Sequence, residues 1–232
     1  MDAVILDVGG VLLVPHEEPV NLALTVFGIS LNGEEAERAH YFGVHAMDLA
    51  GEDEGAARLA YLVGYADAAG IPASAHEAAI QRMREVWGGP TIDLWRRLVS
   101  GSAEGLRVLA ATGCKMGIVS NADGTIEEQL RRNEICQVGE GLGVPVLAIV
   151  DSHIVGIAKP AAEIFRHALE PLDVSPSSAI YVGDTVRYDV RGARNAGLHP
   201  VHFDPFELCL DRDDHDHIRR LSEVEPLLDS TP

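Results

Sequence analysis

Four groups of polar residues in this chain stand where the apolar pattern of a buried strand ends or that of a helix begins, and their types suit one chemistry. Asp7 closes the apolar run VILD, with Gly9 and Gly10 just after it. Ser120 and Asn121 close a second run, Lys159-Pro160 precedes a helical pattern, and Gly183-Asp184 closes another run, with Asp189 shortly behind. Carboxylates in such a group can hold an oxygen-seeking Mg2+. An ammonium and a hydroxyl can neutralise and orient phosphoryl oxygens, and a carboxylate held in line can attack phosphorus. Glycines beside the carboxylate let the backbone approach a small tetrahedral group. Lys115 and Lys159 are the only lysines, so a Lys at a special place is informative here.

The elements that must position these residues follow from apolar periodicity. Five runs read as buried parallel strands: Ala3–Val8, Met116–Ser120, Val144–Val150, Ala179–Val182 and Pro200–Phe203. Helical patterns lie between the later ones, at Ala103–Thr112 closing at Gly113, Thr125–Asn133, Ala161–Leu169 after Pro160, and Asp189–Ala196 closing at Gly197. Strands alternating with helices predict an α/β fold with a Rossmann-like, doubly wound parallel sheet. Such sheets bind ligands beyond the carboxyl ends of their strands, where the groups above are placed.

Residues 15–95 read differently. Helix-like runs such as Glu34–Leu49 and Glu54–Ala69 dominate, with no strong strand. This predicts a smaller α-helical cap inserted after the first strand, with residues 1–14 and 96–232 forming the core. Trp87 and Trp95 are expected to pack at the junction of the two. His40, Tyr41, His45 and Asp48 fit either a substrate-facing surface or ordinary helix surface. The run DRDDHDH, Asp211–His217, reads as a solvated acidic loop because its ligands fall in no recognised metal spacing, and the tail after it ends as a helix.

The 232 residues carry 47% apolar and 23% charged side chains, an ordinary globular composition, and a formal net charge of -18. Such acidity argues against nucleic-acid and membrane-surface partners. Cys114, Cys136 and Cys209 are far apart, odd in number and in no metal-ligand spacing, as expected of reduced thiols. No signal segment or bilayer-length apolar run stands out, so a cytoplasmic location is expected.

The order Asp7-x-Gly-Gly-Val, Ser120-Asn121, Lys159-Pro160, Gly183-Asp184…Asp189 resembles the haloacid dehalogenase (HAD) superfamily of hydrolases. The stretches SHIVGIAKPAAEIFRHALE and AIYVGDTVRYDVRGARNAGL are especially similar to its pattern, and the resemblance runs from the first strand to Ala196-Gly197. It implies a phosphatase-like enzyme, using Mg2+ as cofactor and a small phosphorylated metabolite as substrate, working as a monomer or homodimer. Asp7 would be the nucleophile and a metal ligand, with the Gly9 carbonyl and Asp184 as further ligands. Asp189 would hold a metal-bound water or Lys159. Ser120, Asn121 and Lys159 would bind the substrate at its phosphoryl group, Asn121 would also support that loop, and the cap would select substrate.

One position departs from the pattern. Phosphatases of this superfamily usually place a second Asp two residues after the nucleophile, as the acid for the leaving alkoxide. Here that residue is Gly9. General acid catalysis is worth about 10²–10⁴ in rate. Either His16 or Asp123 supplies the proton, or the substrate has a good leaving group, or the chain binds a phosphorylated ligand or partner with little turnover. A metal-independent dehalogenase fits less well, because Gly183-Asp184…Asp189 looks like a retained metal site.

Overall fold

A computed structural model describes residues 1–89 and 92–229. Pro90 and Thr91 of the insert, and residues 230–232 at the end of the core region, lie outside the described residues. The chain divides into two compact units, Met1–Leu12 with Ser100–Pro232, and Leu13–Val99.

The chain opens with β1 (Ala3–Leu6), which belongs to the first unit. The second unit follows. It contains β2 (Leu13–Pro15), α1 (Glu17–Leu24), α2 (Gly33–Asp48), α3 (Glu54–Ala68), α4 (His76–Trp87) and β3 (Trp95–Leu98). Helices α2 and α3 start where the sequence supplies caps. Asn32 and Glu35 form a reciprocal capping box at α2, with bonds of 2.8 and 3.0 Å. Asp53 accepts the Ala56 N–H at 2.7 Å to start α3. Val20, Ala39, Tyr65, Met83 and their neighbours form this unit's buried core.

The ribbon of β2 and β3 is antiparallel and is not legible in the sequence, because three- and four-residue strands leave no period to count. Trp87 packs inside this unit, edge-on to Tyr65 with its indole N–H 3.3 Å from the Pro19 carbonyl, and Trp95 stands on β3 in edge contact with His40. His40 is buried, its Nδ1 3.0 Å from the Tyr61 hydroxyl.

The first unit resumes with α5 (Ser102–Thr112), β4 (Lys115–Ser120), α6 (Ile126–Arg132), β5 (Cys136–Val138), β6 (Val144–Val146) and β7 (Ala148–Asp151). Then come α7 (Ser152–Val155), α8 (Glu163–Leu172), β8 (Ala179–Gly183), α9 (Arg191–Ala196), β9 (His199–Phe203), β10 (Asp216–Ile218) and α10 (Glu225–Leu228). Six strands form one parallel sheet in the order β10-β9-β8-β1-β4-β7. This is the mixed α/β architecture with a central parallel sheet that the alternation of strands and helices predicts.

Both faces of the central strands are covered. Ala3, Ile5, Val119 and Tyr181 pack under Ile164, Phe165, Ala168 and Leu172 of α8, while Val4, Leu6, Ile118 and Val182 are buried on the other side. From β1 the chain winds outward through β4 to β7, then returns to β8 and winds the opposite way through β9 to β10. The order therefore reverses between β1 and β8, and a crevice opens there at the carboxyl ends of the strands.

Four sequence expectations shift. The run Val144–Val150 is two strands: β6 pairs with β5 in a side ribbon, and β7 joins the main sheet. The helix expected from Ala161 begins at Glu163, and that expected from Asp189 is a wide π-type turn over Val186–Val190 followed by α9. The DRDDHDH run is turn and loop over residues 211–215, as expected, but its last two residues enter the edge strand β10, Asp216–Ile218. An edge strand takes its stability from one neighbour's backbone and tolerates polar side chains, so it leaves little apolar signal. No helix among the described residues is long and apolar enough to cross a membrane.

Candidate active site

The crevice between β1 and β8 gathers the carboxylates. Asp7 follows β1 and Asp184 follows β8, while Asp189 rides on the π turn, and the three bring carboxylate oxygens within 4.8 Å of one another. All three are buried. Lys159 reaches in from the segment before α8. Its Nζ lies 2.7 Å from Asp7 Oδ2 and 2.6 Å from Asp189 Oδ1.

Two further residues, Tyr181 and Thr185, hold this pair and were not singled out by the sequence. The Tyr181 hydroxyl receives a bond from Lys159 Nζ at 2.7 Å and lies 3.0 Å from Asp189 Oδ1, and its ring packs edge-on against Phe165. Thr185 donates to Asp189 Oδ2 from its N–H at 3.0 Å and its hydroxyl at 2.6 Å. Both oxygens of Asp189 are therefore engaged by protein donors. The signal for Tyr181 is its place in the run AIYVGD, where a buried strand residue carries a polar tip.

Local backbone chemistry fixes the rest. The Val8 N–H donates to Asp7 Oδ1 at 2.7 Å, so one oxygen of Asp7 is held by the turn and the other by Lys159. Asn121 clamps the backbone of Lys159 from both sides, accepting its N–H at 2.8 Å and donating to its carbonyl at 3.1 Å. The Lys159-Pro160 bond is cis. Ser120 is buried at the end of β4, paired in register with Asp151 of β7. Asp151 in turn accepts the Gly124 N–H at 2.8 Å and ties down the loop after Ser120.

The glycines earn their places by close approach. A Cβ on Gly10, whose φ is +69°, would lie 1.9 Å from Asp184 Oδ2, and one on Gly183 would lie 2.2 Å from the Asp189 carboxyl carbon. Gly10→Ala must therefore push Asp184 aside as well as strain the backbone. We expect it to lower unfolding stability by about 1–3 kcal/mol, read from urea denaturation.

The electrostatics are set by burial first. Burial pushes the Asp7 carboxyl up to about 7 even though Lys159 opposes the rise, and the charges of Asp189 and Asp184 add to it. Burial and the charge of Asp189 push Asp184 well above the usual carboxylate range. For Asp189 burial acts upward too, but Lys159 and the Thr185 bonds outweigh it and hold it below that range. Burial would lower Lys159, yet Asp189 and Asp7 raise it. Lys159 bonds two of the three buried carboxylates, Asp7 and Asp189. Three clustered carboxylates, with Asp184 held least comfortably as an anion, fit a divalent cation with oxygen ligands.

Of the two acids suggested for the missing proton, Asp123 is exposed, and its Oδ1 accepts the Thr125 hydroxyl at 2.6 Å and the Thr125 N–H at 3.2 Å. His16 lies in the second unit, where its Nδ1 caps α1 by accepting the Glu18 N–H at 3.1 Å.

A parallel sheet with three buried carboxylates and an ammonium gathered at its topological switch point defines an α/β protein with a charged site at the ends of its strands. The comparisons with known proteins make this specific. The family of haloacid dehalogenase-like hydrolases matches residues 1–197, and the chain belongs to that family. Haloacid dehalogenase-like hydrolase domain-containing protein 3 of Mus musculus is 31% identical over 132 residues, 56% of this chain and 49% of that protein. A phosphoserine phosphatase of Thermus thermophilus is 45% identical over 67 residues, 29% of this chain and 27% of that one. The chain thus spans about half the length, or less, of these curated relatives. Among solved structures, a HAD phosphatase from Thermococcus onnurineus superposes with a TM-score of 0.57 at 22% identity, covering 99% of this chain and 98% of that one. A HAD hydrolase of Bacillus subtilis, YfnB, in a magnesium-bound form superposes at 0.60 with 19% identity, covering 98% of each. These likenesses establish the fold.

Proposed function

We propose that this HAD-like hydrolase is a Mg2+-dependent phosphatase of a small phosphorylated metabolite, acting in the cytoplasm through a phospho-Asp7 intermediate. The observation that carries the proposal is Asp7 itself: a buried carboxylate pinned at one oxygen by the Val8 N–H and at the other by Lys159, at the switch point of the sheet. Relatives named as phosphoserine, ribulose-1,5-bisphosphate and glyceraldehyde 3-phosphate phosphatases support the substrate class.

Asp7, Asp184 and the Gly9 carbonyl would hold the metal, which supplies positive charge that keeps Asp7 ionised and offsets charge on the phosphoryl oxygens. Asp189 would act from behind, because its oxygens are taken up by Lys159, Tyr181 and Thr185. Lys159 and Ser120 would bind the phosphoryl oxygens, and Asn121 would set the position of Lys159. Asp7 attacks phosphorus, the P–O bond to the alcohol breaks, and the alkoxide departs. Water then attacks the phospho-Asp7, releasing inorganic phosphate and restoring the carboxylate.

Gly9 favours a second reading, in which the chain binds a phosphorylated ligand or partner and turns it over poorly. A panel of phosphorylated metabolites and an aryl phosphate, assayed with and without Mg2+, separates the two. Metal-dependent turnover of a metabolite supports the phosphatase. No turnover of any compound by folded, Mg2+-binding protein supports the second reading.

The metal set has its own test. Asp184 ionises in the folded protein only above the unfolded value of 3.8, so its charge opposes folding increasingly as pH rises through that window. At pH 7.5 we expect Asp184→Asn to raise the Tm of the metal-free protein by about 2–6 °C. Mg2+ should raise the Tm of the wild type and leave the variant unchanged; equal shifts in both would remove Asp184 from the ligand set.

A further inference from the structure

A second set of metal-ligating side chains lies one strand away from the carboxylates. His202 on β9, Cys209 in the loop that follows, His215 and, on β10, His217 each bring one donor atom within 4.8 Å of the others. His202 Nδ1 is 3.2 Å from His215 Nε2, and that nitrogen is 3.9 Å from Cys209 Sγ. A tetrahedral zinc, with Zn–N of about 2.0–2.1 Å and Zn–S of about 2.3 Å, sets its ligand atoms about 3.3 Å (N to N) and about 3.6 Å (N to S) apart. The observed separations are close to those edges.

Each imidazole also has an oxygen behind it. His202 Nε2 donates to the Asp184 carbonyl at 3.0 Å, which leaves Nδ1 free of its proton and turned toward His215. Asp214 Oδ2 lies 3.5 Å from His215 Nδ1, and Asp204 Oδ2 lies 3.7 Å from His217 Nδ1. An oxygen on the far nitrogen is the usual way a metal-bound imidazole is oriented. Asp204 also accepts the N–H groups of Leu208 and Cys209, at 2.8 and 3.0 Å, and so bends the loop that presents the thiol. Both ring nitrogens of His217 are shielded from solvent with no hydrogen-bond partner. Buried polar atoms in proteins nearly always have a partner, and two bare imidazole nitrogens beside a thiol and two further imidazoles suit a metal ligand.

We propose that His202, Cys209, His215 and His217 form a closed structural Zn2+ site. Three imidazoles and a thiolate suit a borderline-soft ion and suit Mg2+ poorly, so the two metals would sort between the two clusters by ligand chemistry. On binding, the Cys209 thiol releases its proton to solvent and the sulfur bonds the metal. The site joins the edge strand β10 to β9, fixes the intervening loop, and through His202 steadies the backbone carbonyl of Asp184. The spacing along the chain hides it, because its ligands come from a strand, a loop and an edge strand that only the sheet brings together.

Full-length protein stripped with a chelator and titrated with Co2+ in excess Mg2+ provides the test. One equivalent of Co2+ should give a thiolate-to-metal charge-transfer band in the near ultraviolet and strong tetrahedral bands in the visible, all removed by one equivalent of Zn2+. Cys209→Ser should abolish the charge-transfer band, Asp204→Asn should weaken Zn2+ binding by about 10–100-fold, and Asp7→Asn should leave the band intact. No charge-transfer band in folded wild-type protein would overturn the proposal. So would a band that survives Cys209→Ser, or one that is lost in Asp7→Asn.

Discussion

Asp7→Asn is expected to lower kcat on any phosphomonoester substrate by a factor on the order of 10⁴ or more while the protein stays folded, as removal of a covalent nucleophile does elsewhere. The fold should survive because the change keeps an oxygen that can accept the Val8 N–H, and because Lys159 retains its 2.6 Å bond to Asp189. It also removes a carboxyl that burial already pushes up to about 7. Activity and stability should therefore separate: near-ultraviolet circular dichroism unchanged, turnover gone, and no phosphoenzyme trapped by acid quench. A variant that retained a tenth of wild-type turnover would show that Asp7 is not the attacking group.

Gly9 shapes what the wild type itself should do. With no carboxyl at that position, the alkoxide departing in the proposed reaction would find no acidic side chain two residues after Asp7. Unless His16 or Asp123 supplies one, the first step should depend steeply on the leaving group, with aryl phosphates cleaved far faster than alkyl ones, because general acid help is worth about 10²–10⁴ only where the leaving group needs it. Asp123 is already engaged by Thr125, and His16 serves as a helix cap, so neither stands as a ready-made acid in its present hydrogen bonds.

The sequence makes the middle of the sheet legible and the edges obscure. Strands β1 and β8 are buried along their whole length, so each is written as an apolar run that stops at a carboxylate, and Asp7 and Asp184 are among the residues the crevice gathers. The run around Leu147 hides its break because alternate residues serve two sheets: Leu147 itself is 49% exposed, while its N–H bonds the Met116 carbonyl of β4 at 2.8 Å. Strand β10 is polar and borrows its order from β9. At the site, the charged members stand out by type, whereas Tyr181 and Thr185 matter through one hydroxyl each, which spacing cannot reveal. Asn121 shows the same limit: its place beside Ser120 suggests contact with substrate, and the sequence does not reveal that its amide also bonds both the N–H and the carbonyl of Lys159.

Lys159→Met should have the largest effect on stability, about 3–5 kcal/mol at neutral pH, because it leaves buried carboxylates without their bonded cation. The pH dependence distinguishes this from simple loss of packing. In the wild type, Lys159 is raised above its ordinary value, so its contribution is complete below about 10 and lost as pH climbs through the folded value. Asp189 is held below its ordinary value, so its contribution is present above about 4 and lost as pH falls through the folded value. Between those limits the pair is at full strength and contributes no slope of its own. Without Lys159 the carboxylates can escape burial only by taking up protons, so stability of the metal-free variant should rise as pH is lowered from 8 to 5. Mg2+ should restore part of the loss at pH 8, since it supplies the missing positive charge, but not turnover, since under the proposed function the phosphoryl oxygens would still lack their ammonium. Urea denaturation at the two pH values, with and without Mg2+, reads all of this. A variant equally destabilised at pH 5 and pH 8 would show that Lys159 is held there for its packing rather than its charge.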